Sequence, residues 1–491
     1  MTIKLTSIPL ITIGFLLLSI FSNECFSQTG VFPPPDNTGD PEQFGVHIQR
    51  TMALLENSTP EQQNTVRILF YGQSITEGAW WKFVRDDLLE RYPNANLIIE
   101  NRALGGYASQ ILQKTAETDL YPFQPDLLIF HVYGSHHAYE NIIRGVRERT
   151  ISEILIQSDH YSANHDLNEE RNPEYLDQDN WTQWWNYVFL PEIAERYGAT
   201  LTAQRDLWRE YLIVNDLEPK ELLTDNVHTN DHGNFLMAEL LKPHLIYRTE
   251  LDVARAQNPF NNEWVQTLSA DELTASDSDS IKIRFKGNRI DLIAGPDGTG
   301  EIAIQINQRK PSQFPELYGF TRTTPYPYSK WPLITLLESE SQLKLETWIV
   351  TLYDISDDGS EFRFELHGSE TGFDGSGISD ERFVSNSGRI VIDPENWNIE
   401  RSMRVFGGHL TDGFEISWDV VPYFKDKVLI PESSDSAVEN KVTVVQGLSH
   451  GEHVVILTGP GIHSLKAVRI YHPPLLNVPE HEDNPLPEQR Q

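Results

Sequence analysis

Short apolar stretches alternate with amphipathic stretches between residues 46 and 256. The apolar stretches have the length of β-strands and lie at residues 66–71, 97–100, 127–132, 153–157 and 200–202. The amphipathic stretches carry apolar residues at helical spacing and lie at residues 81–92, 108–118, 139–148, 181–197, 207–215 and 233–245. Strands that alternate with helices predict a parallel sheet covered on both faces. We therefore expect a three-layer α/β domain over residues 46–256.

Beyond residue 257 apolar and polar residues alternate with a period of two between Gly, Asp and Pro turns. Such segments lie at residues 281–285, 289–293, 302–306, 348–352, 362–366 and 442–445. This pattern predicts an all-β region over residues 257–472, a β-sandwich or jelly roll. Residues 312–425 are too many for one hairpin connection, so we expect a second β unit inserted there.

The two ends of the chain differ in composition from both regions. Lys4 and the apolar run that follows it predict a signal peptide over residues 1–28, with a membrane anchor as the alternative. The Pro-, Asp- and Gly-containing residues 29–45 are expected to be a linker, and the Pro- and Glu-rich residues 473–491 a disordered tail. We therefore expect a secreted or periplasmic protein that does not bind a membrane once the signal is cleaved.

Charge and cysteine content exclude several classes of function. The formal net charge is -33, so the surface repels nucleic acid and anionic membranes. An anionic substrate stays compatible with this charge, because distant charges are screened and a few cations in a pocket act locally. The single cysteine, Cys25, precedes the expected cleavage site. The mature chain then has no disulfide, thiol nucleophile or cysteine-bound metal.

A serine and a later histidine are the candidate reactive residues. Ser74 follows the first predicted strand in the sequence Gly72, Gln73, Ser74, and Asp225 precedes His228 by three residues near the end of the α/β region. A serine hydroxyl is a weak nucleophile until a base accepts its proton, and a carboxylate can orient that base through its second ring nitrogen. The alternative is that Ser74 and Asp225 only cap helices.

These segments resemble the sequence blocks of the SGNH (GDSL-type) hydrolase superfamily over about residues 65–247. The first block is similar to Gly72, Gln73 and Ser74, with Gln where the family often has Asp. The second is similar to residues 101–106, and the last is a good match to residues 225–233. The resemblance implies a three-layer α/β hydrolase fold and the activity of a carbohydrate esterase.

The same resemblance implies roles for individual residues. Ser74 would be the nucleophile, His228 the base and Asp225 the residue that orients it. The backbone amides of Ser74 and Gly106 would donate hydrogen bonds to the oxyanion. Gln73 would lie in the substrate site beside the nucleophile.

The third block departs from the family pattern of Gly-x-Asn-Asp, because this chain has Gly134, Ser135, His136 and His137. His136 stands where the family has the Asn that completes the oxyanion hole. An imidazole can donate a hydrogen bond there, but losing one such donor costs about two to three orders of magnitude in rate. The alternative for His136 and His137 is a structural pair at the edge of the sheet.

Other polar residues are expected near the same strand ends. His160 follows the fourth predicted strand, and Arg102 lies beside the second block, where it could pair with a carboxylate. Five histidines could together bind zinc or copper, but no helical spacing supports a metal site, so we expect no metal and no cofactor. The tryptophans of the β region are scattered as core residues would be, at positions 331, 348, 397 and 418.

Three functions fit these observations. The first is a secreted esterase that removes acetyl or similar groups from a polysaccharide or oligosaccharide by a Ser-His-Asp mechanism. The second is a lyase or dehydratase that uses His136 or His160 with Tyr133 or Tyr161 to form an unsaturated uronic acid. The third is a glycan-binding protein without activity. All three have a carbohydrate partner, with an acidic polysaccharide among the candidates.

Overall fold

The first half of the chain folds around a five-stranded parallel sheet, as its alternating pattern predicts. The computed structural model describes residues 32–168, 181–251, 253–273, 275–277, 280–295, 298–430 and 437–474. The sheet has the order β2-β1-β3-β4-β5, with every neighbouring pair parallel. Its strands are β1 (Thr65–Gly72), β2 (Asn96–Asn101), β3 (Leu127–His131), β4 (Glu153–Gln157) and β5 (Thr200–Thr202).

Helices cover both faces of this sheet. They are α1 (Gln49–Glu56), α2 (Ser74–Glu77), α3 (Trp80–Arg91), α4 (Ser109–Asp119), α5 (His136–Arg149), α6 (Trp181–Trp184), α7 (Leu190–Tyr197), α8 (Gln204–Val214), α9 (Asp231–Leu241) and α10 (Ala254–Gln257). Every residue of β3 and β4 is buried, which explains their continuous apolar sequence. The strand order reverses between β1 and β3, and ligands of open α/β sheets bind at the carboxyl ends of strands at such a point.

The second half of the chain contains two facing antiparallel sheets, in agreement with the predicted all-β region. One has the order β18-β10-β20-β8-β7 and the other β19-β9-β21-β6. Their strands before the insertion are β6 (Val265–Ser269), β7 (Ala275–Asp277), β8 (Ser280–Lys286), β9 (Arg289–Ala294) and β10 (Gly300–Ile306). Inward-facing residues such as Ile283, Leu292 and Ile304 form a shared core.

Along the chain, between β10 and the strands that complete the sandwich, a third antiparallel sheet is formed, with the order β11-β17-β12-β13-β14. Its strands are β11 (Tyr318–Phe320), β12 (Thr347–Tyr353), β13 (Arg363–Gly368), β14 (Gly372–Ile378) and β17 (Glu415–Pro422). Between β14 and β17 the chain forms a separate two-stranded sheet of β15 (Phe383–Val384) and β16 (Val391–Ile392), followed by helix α11 (Ile399–Phe406). The sandwich resumes with β18 (Lys427–Ile430), β19 (Lys441–Gln446), β20 (Glu452–Thr458) and β21 (Leu465–Tyr471). We call residues 318–422 the inserted unit; it has a hydrophobic core of its own around Trp348 and Trp418.

The structure adds detail to two sequence expectations. Within the predicted linker of residues 29–45, Pro41 and Glu42 accept hydrogen bonds from Arg248 through their carbonyl oxygens, and the Phe44 ring lies 4.8 Å from that of His244. The expected helix at 181–197 is interrupted by a π-helical turn, Trp185–Phe189, since apolar periodicity does not reveal a change from i→i+4 to i→i+5 bonding.

The predicted signal peptide and most of the predicted tail lie outside the described residues. Within the described part of the chain, no helix is both long enough and apolar enough to cross a bilayer.

Candidate active site

Ser74 lies directly after β1, where the chain turns sharply into α2. Gly72 is required for this turn, because a Cβ there would overlap the carbonyl oxygen of His131 and the side chain of Thr76. Oγ1 of Thr76 donates to the same carbonyl at 3.0 Å, which ties α2 to the end of β3. The half-buried Ser74 is thereby held at the carboxyl edge of the sheet.

Asp225 and His228 form a hydrogen-bonded pair in the loop before α9. Oδ2 of Asp225 is 2.7 Å from Nδ1 of His228. Oδ1 accepts from the backbone N–H groups of Val227 at 2.7 Å and His228 at 2.8 Å. Both side chains are about half exposed, 56% for Asp225 and 48% for His228, so a substrate can reach them.

This hydrogen-bond pattern determines which nitrogen of His228 can act as a base. The backbone bond from His228, its ring bond and the backbone bond from Val227 hold the pKa of Asp225 well below its usual value, so the carboxylate is ionised at neutral pH. An ionised carboxylate only accepts hydrogen bonds, so Nδ1 of neutral His228 must carry the proton. Its Nε2 is then unprotonated and able to accept a proton from a hydroxyl group.

The hydroxyl of Ser74 is not hydrogen-bonded to Nε2 of His228, and neither atom has another hydrogen-bond partner in the described part of the chain. Hydrogen bonds between catalytic groups are often long before substrate binds and shorten in the complex. The contact between these two residues stays a prediction.

The loop that carries His228 is supported from two sides. His160 donates from Nε2 to the carbonyl oxygen of Val227 at 2.7 Å. On the other side, Oδ1 of Asn234 accepts from Oγ1 of Thr229 at 2.9 Å and from the backbone of Trp80, the first residue of α3, at 3.3 Å. The base is therefore connected both to the end of β4 and to the segment that follows Ser74.

His160 supports this loop from a buried position, and the substrate contact predicted for it stays a prediction. Its side chain is 5% exposed, and burial lowers its pKa to about 4. It is therefore neutral, with its Nε2 proton used in the bond to Val227. Beside it, Asp159 lies 3.0 Å from His131. Burial acts to raise the pKa of Asp159, but the contact with His131 and the charges of His131, Arg205 and His160 together hold this pKa below its usual value.

The glycines of the second block lie against Ser74. The backbone N–H of Gly105 donates to Oε2 of Glu77 at 3.0 Å, and a Cβ on Gly105 would be 3.6 Å from Cβ of Ser74. Gly106 has a φ of +79°, a conformation that favours glycine. Its N–H donates to no acceptor in the described residues, which leaves it available for a ligand.

The third block begins a helix. Ser135 caps α5 by accepting from the N–H of Ala138, so His136 and His137 occupy its first turn. The ring of His136 lies 3.9 Å from that of His137 and 5.6 Å, edge-on, from that of Trp184. The roles of His136 and His137 in substrate or oxyanion binding stay predictions.

Two further residues predicted to contact substrate are partly engaged within the fold, and their roles stay predictions. Arg102 donates from Nε to Oε2 of Glu100 and from Nη1 to the carbonyl oxygen of Asp119, and its guanidinium group lies 4.6 Å from the Phe123 ring. Gln73 is 2% exposed and occupies the N-cap position of α2 without a side-chain capping bond. Among the described residues, no group of three or more metal-ligating side chains occurs.

Residues of the inserted unit contact the second block, which the sequence did not reveal. Nζ of Lys330 lies 2.8 Å from Oε1 of Glu77. Nε1 of Trp331 donates to the carbonyl oxygen of Gly105 at 2.7 Å, and Arg401 donates to the carbonyl oxygen of Gly106 at 2.5 Å. Trp331 is 4% exposed, as expected of a core residue, but the core that it joins is that of the α/β domain.

A groove of about 810 Å³ lies between α4, α5 and the inserted unit. Its lining includes Lys114, Arg149, Tyr318 and Arg322, and it includes none of the three candidate catalytic residues. The candidate catalytic residues therefore lie outside this groove.

Comparison with solved structures gives similarities over about two fifths of the chain. A GDSL-like lipase from Parabacteroides merdae is 19% identical, with a TM-score of 0.31, 38% of this chain and 97% of that chain covered. The hydrolase LAE5 from the metagenome of Lake Arreo is 15% identical, with a TM-score of 0.31 and coverages of 39% and 100%. The acetylxylan esterase Axe2 of Geobacillus stearothermophilus is 18% identical, with a TM-score of 0.31 and coverages of 38% and 96%. No protein-family model and no curated protein matches the chain.

Proposed function

We propose that this protein is a secreted or periplasmic esterase that removes acetyl or similar acyl groups from a polysaccharide or oligosaccharide. The observation that carries the proposal is the bond between Oδ2 of Asp225 and Nδ1 of His228, which leaves Nε2 of His228 as an accessible base. Ser74 is held by a strand-to-helix turn at the carboxyl edge of the same sheet.

The reaction would proceed through an acyl-enzyme. Nε2 of His228 accepts the hydroxyl proton of Ser74 as its oxygen attacks the ester carbonyl carbon. The tetrahedral intermediate collapses, and the sugar hydroxyl leaves with the proton from Nε2. Water then attacks the acyl group with His228 again as base, which releases the carboxylic acid and restores Ser74.

Two backbone N–H groups are the proposed donors to the oxyanion. Ser74 is the first residue of α2, so its N–H has no partner within the helix. The N–H of Gly106 has no acceptor among the described residues. Such donors stabilise the developing negative charge because they are oriented before the reaction begins.

Exposed aromatic residues beside the second block support a carbohydrate substrate. Phe406 is 40% exposed, and its ring lies 4.7 Å from that of Trp331, which bonds to Gly105. Tyr328 is 64% exposed and is connected to Phe406 through the ring of Tyr326, at 5.6 and 6.4 Å. Contiguous exposed apolar side chains next to a site often bind ligands, and the C–H faces of sugar rings stack on such aromatic rings.

Two of the four groups proposed for the elimination are buried, which favours the esterase. His160 is 5% exposed and bonded to Val227, and Tyr161 is 3% exposed, so both are poorly placed to take a proton from a substrate. Tyr133 is 40% exposed, and burial raises its pKa, with the charge of Asp159 acting in the same direction. A tyrosine with a raised pKa is a poorer base at neutral pH.

The test is release of acetate from acetylated xylan and of 4-nitrophenol from its acetate ester. We expect the Ser74→Ala variant to lose activity in both assays. Ser339→Ala, which changes an exposed serine of the inserted unit, is the matched control and should keep full activity. Activity that survives in Ser74→Ala would contradict the mechanism. Formation of an ultraviolet-absorbing unsaturated uronate that depends on His136 would establish the elimination instead.

A further inference from the structure

The peptide between Gly105 and Gly106 is held from outside the α/β domain. Its carbonyl oxygen, which belongs to Gly105, accepts from Nε1 of Trp331 at 2.7 Å. A trans peptide is planar, and its N–H points opposite to its C=O. The indole of Trp331 therefore fixes the direction of the Gly106 N–H, which points away from the inserted unit.

Ser74 and Trp331 lie against different glycines of this turn. A Cβ on Gly105 would lie 3.6 Å from Cβ and 3.7 Å from Cα of Ser74, whereas a Cβ on Gly106 would lie 2.6 Å from Cζ2 of Trp331. The two glycines are thus enclosed between the nucleophile and the indole ring. No side chain larger than hydrogen fits at Gly106 without moving Trp331.

Arg401 adds a second bond to the same turn. It donates from Nη2 to the carbonyl oxygen of Gly106 at 2.5 Å, and its guanidinium group lies 4.2 Å from the Trp331 ring. The indole is further fixed by the rings of Tyr107 at 5.2 Å and Phe406 at 4.7 Å. The carbonyl oxygens of Gly105 and Gly106 are therefore held by the side chains of Trp331 and Arg401, which pack on each other.

We propose that Trp331 is a positioning residue that directs the N–H of Gly106 toward the oxyanion, so that the inserted unit completes the active site of the α/β domain. This inference rests on the proposed function. An oxyanion donor accelerates the reaction to the extent that its direction is fixed beforehand. Without the indole N–H, the peptide can rotate and its N–H can turn away from the developing charge.

The test compares Trp331→Phe with the wild-type full-length protein. The substitution keeps an aromatic ring and removes the N–H donor. We expect kcat for 4-nitrophenyl acetate to fall about tenfold to hundredfold, less than the loss of a whole oxyanion donor, with KM changed less than about twofold. Inhibition by phenylboronic acid, which forms a tetrahedral adduct with a reactive serine, should weaken in parallel with kcat/KM.

Trp348→Phe is the matched control. Trp348 is a fully buried tryptophan of the inserted unit whose N–H has no hydrogen-bond partner in the described structure. Its substitution should leave kcat and boronate inhibition unchanged, even if it lowers the melting temperature. If Trp331→Phe does not fold, Arg401→Gln replaces it, because Arg401 is only partly buried and its loss should give the same kcat effect in smaller degree.

The outcomes separate this inference from the proposed function. If Ser74→Ala abolishes the wild-type activity but Trp331→Phe keeps full kcat and full boronate affinity, the positioning role is wrong and the esterase proposal stands. If Trp331→Phe lowers activity only through loss of folded protein, with kcat per folded molecule unchanged, the role of Trp331 is structural. If the wild-type protein has no serine-dependent activity, both proposals fail.

Discussion

Replacement of Asp225 by Asn should move the proton of neutral His228 from Nδ1 to Nε2. Oδ1 of Asp225 accepts two backbone hydrogen bonds, so this position must remain an oxygen in the amide. The amide nitrogen of Asn then takes the position of Oδ2, 2.7 Å from Nδ1 of His228. An amide N–H can only donate, so Nδ1 must become the acceptor and the proton must move to Nε2. The imidazole can no longer accept the proton of Ser74.

The size of the effect follows from the exposure of the pair. The same substitution at a buried serine-hydrolase triad lowers kcat about 10⁴-fold. Asp225 is 56% exposed, so water can compete with the amide and lets a fraction of His228 keep the productive tautomer. We therefore expect a smaller loss, of about 10²- to 10³-fold in kcat, with KM little changed.

The measurement is the burst of 4-nitrophenol on mixing with its acetate ester, which reports acylation of Ser74 directly. Asp216→Asn is the matched control: Asp216 is exposed and has a φ of +57°, which Asn tolerates. It should leave the burst rate unchanged. An Asp225→Asn variant that acylates within about twofold of the wild-type rate would refute the tautomer argument.

Three further predictions concern stability. Burial lowers the pKa of His244 to about 4, so as pH falls the unfolded state binds a proton at His244 before the folded state does. The free energy of unfolding should therefore drop by up to about 3 kcal/mol between pH 6.5 and 4. Denaturant titrations should show a smaller drop for His244→Leu. Arg322 donates to the buried carboxylate of Asp119 at 2.7 and 3.0 Å, so Arg322→Ala leaves this charge unpaired and should lower the free energy of unfolding by about 3 kcal/mol. Adding Asp119→Asn should recover much of this loss, and full additivity in the double-mutant cycle would contradict the prediction. Gly145→Ala would drive a Cβ into the Tyr121 hydroxyl between α4 and α5, and thermal unfolding should show a loss of about 1–3 kcal/mol that Tyr121→Phe partly relieves.

The strands and helices of the α/β domain could be predicted from sequence because buried strands and amphipathic helices leave a local apolar pattern. The predicted strand at 153–157 coincides with β4, and the one at 200–202 with β5. Helix α5 begins three residues earlier than predicted, because its first turn contains His136 and His137 and shows no apolar periodicity. Ser135, its capping residue, was the available signal.

The candidate site was predictable only where its contacts are local in sequence. Asp225 and His228 are three residues apart, so their pairing is accessible to a motif. The bond between Trp331 and Gly105 joins residues 226 positions apart, and it depends on how the inserted unit docks. A tryptophan buried in its own sheet and one buried against another domain have the same local pattern, so Trp331 was interpreted as an ordinary core residue.

The two halves of the proposed site have separate supports, and this gives a final prediction. The loop that carries His228, called here the base loop, is held by His160, whose Nε2 donates to the carbonyl oxygen of Val227. The turn at Gly105 and Gly106 is held by Trp331. No hydrogen bond in the described residues links these two supports. His160→Phe should keep the edge-on packing on Trp208 but release the base loop, lowering kcat about tenfold. Because the two residues share no hydrogen-bond partner among the residues described, the losses of kcat in His160→Phe and Trp331→Phe should multiply in the double variant. A double variant no slower than the slower single one would mean that both substitutions disrupt one shared structure, and the division of the site between the two supports would be wrong.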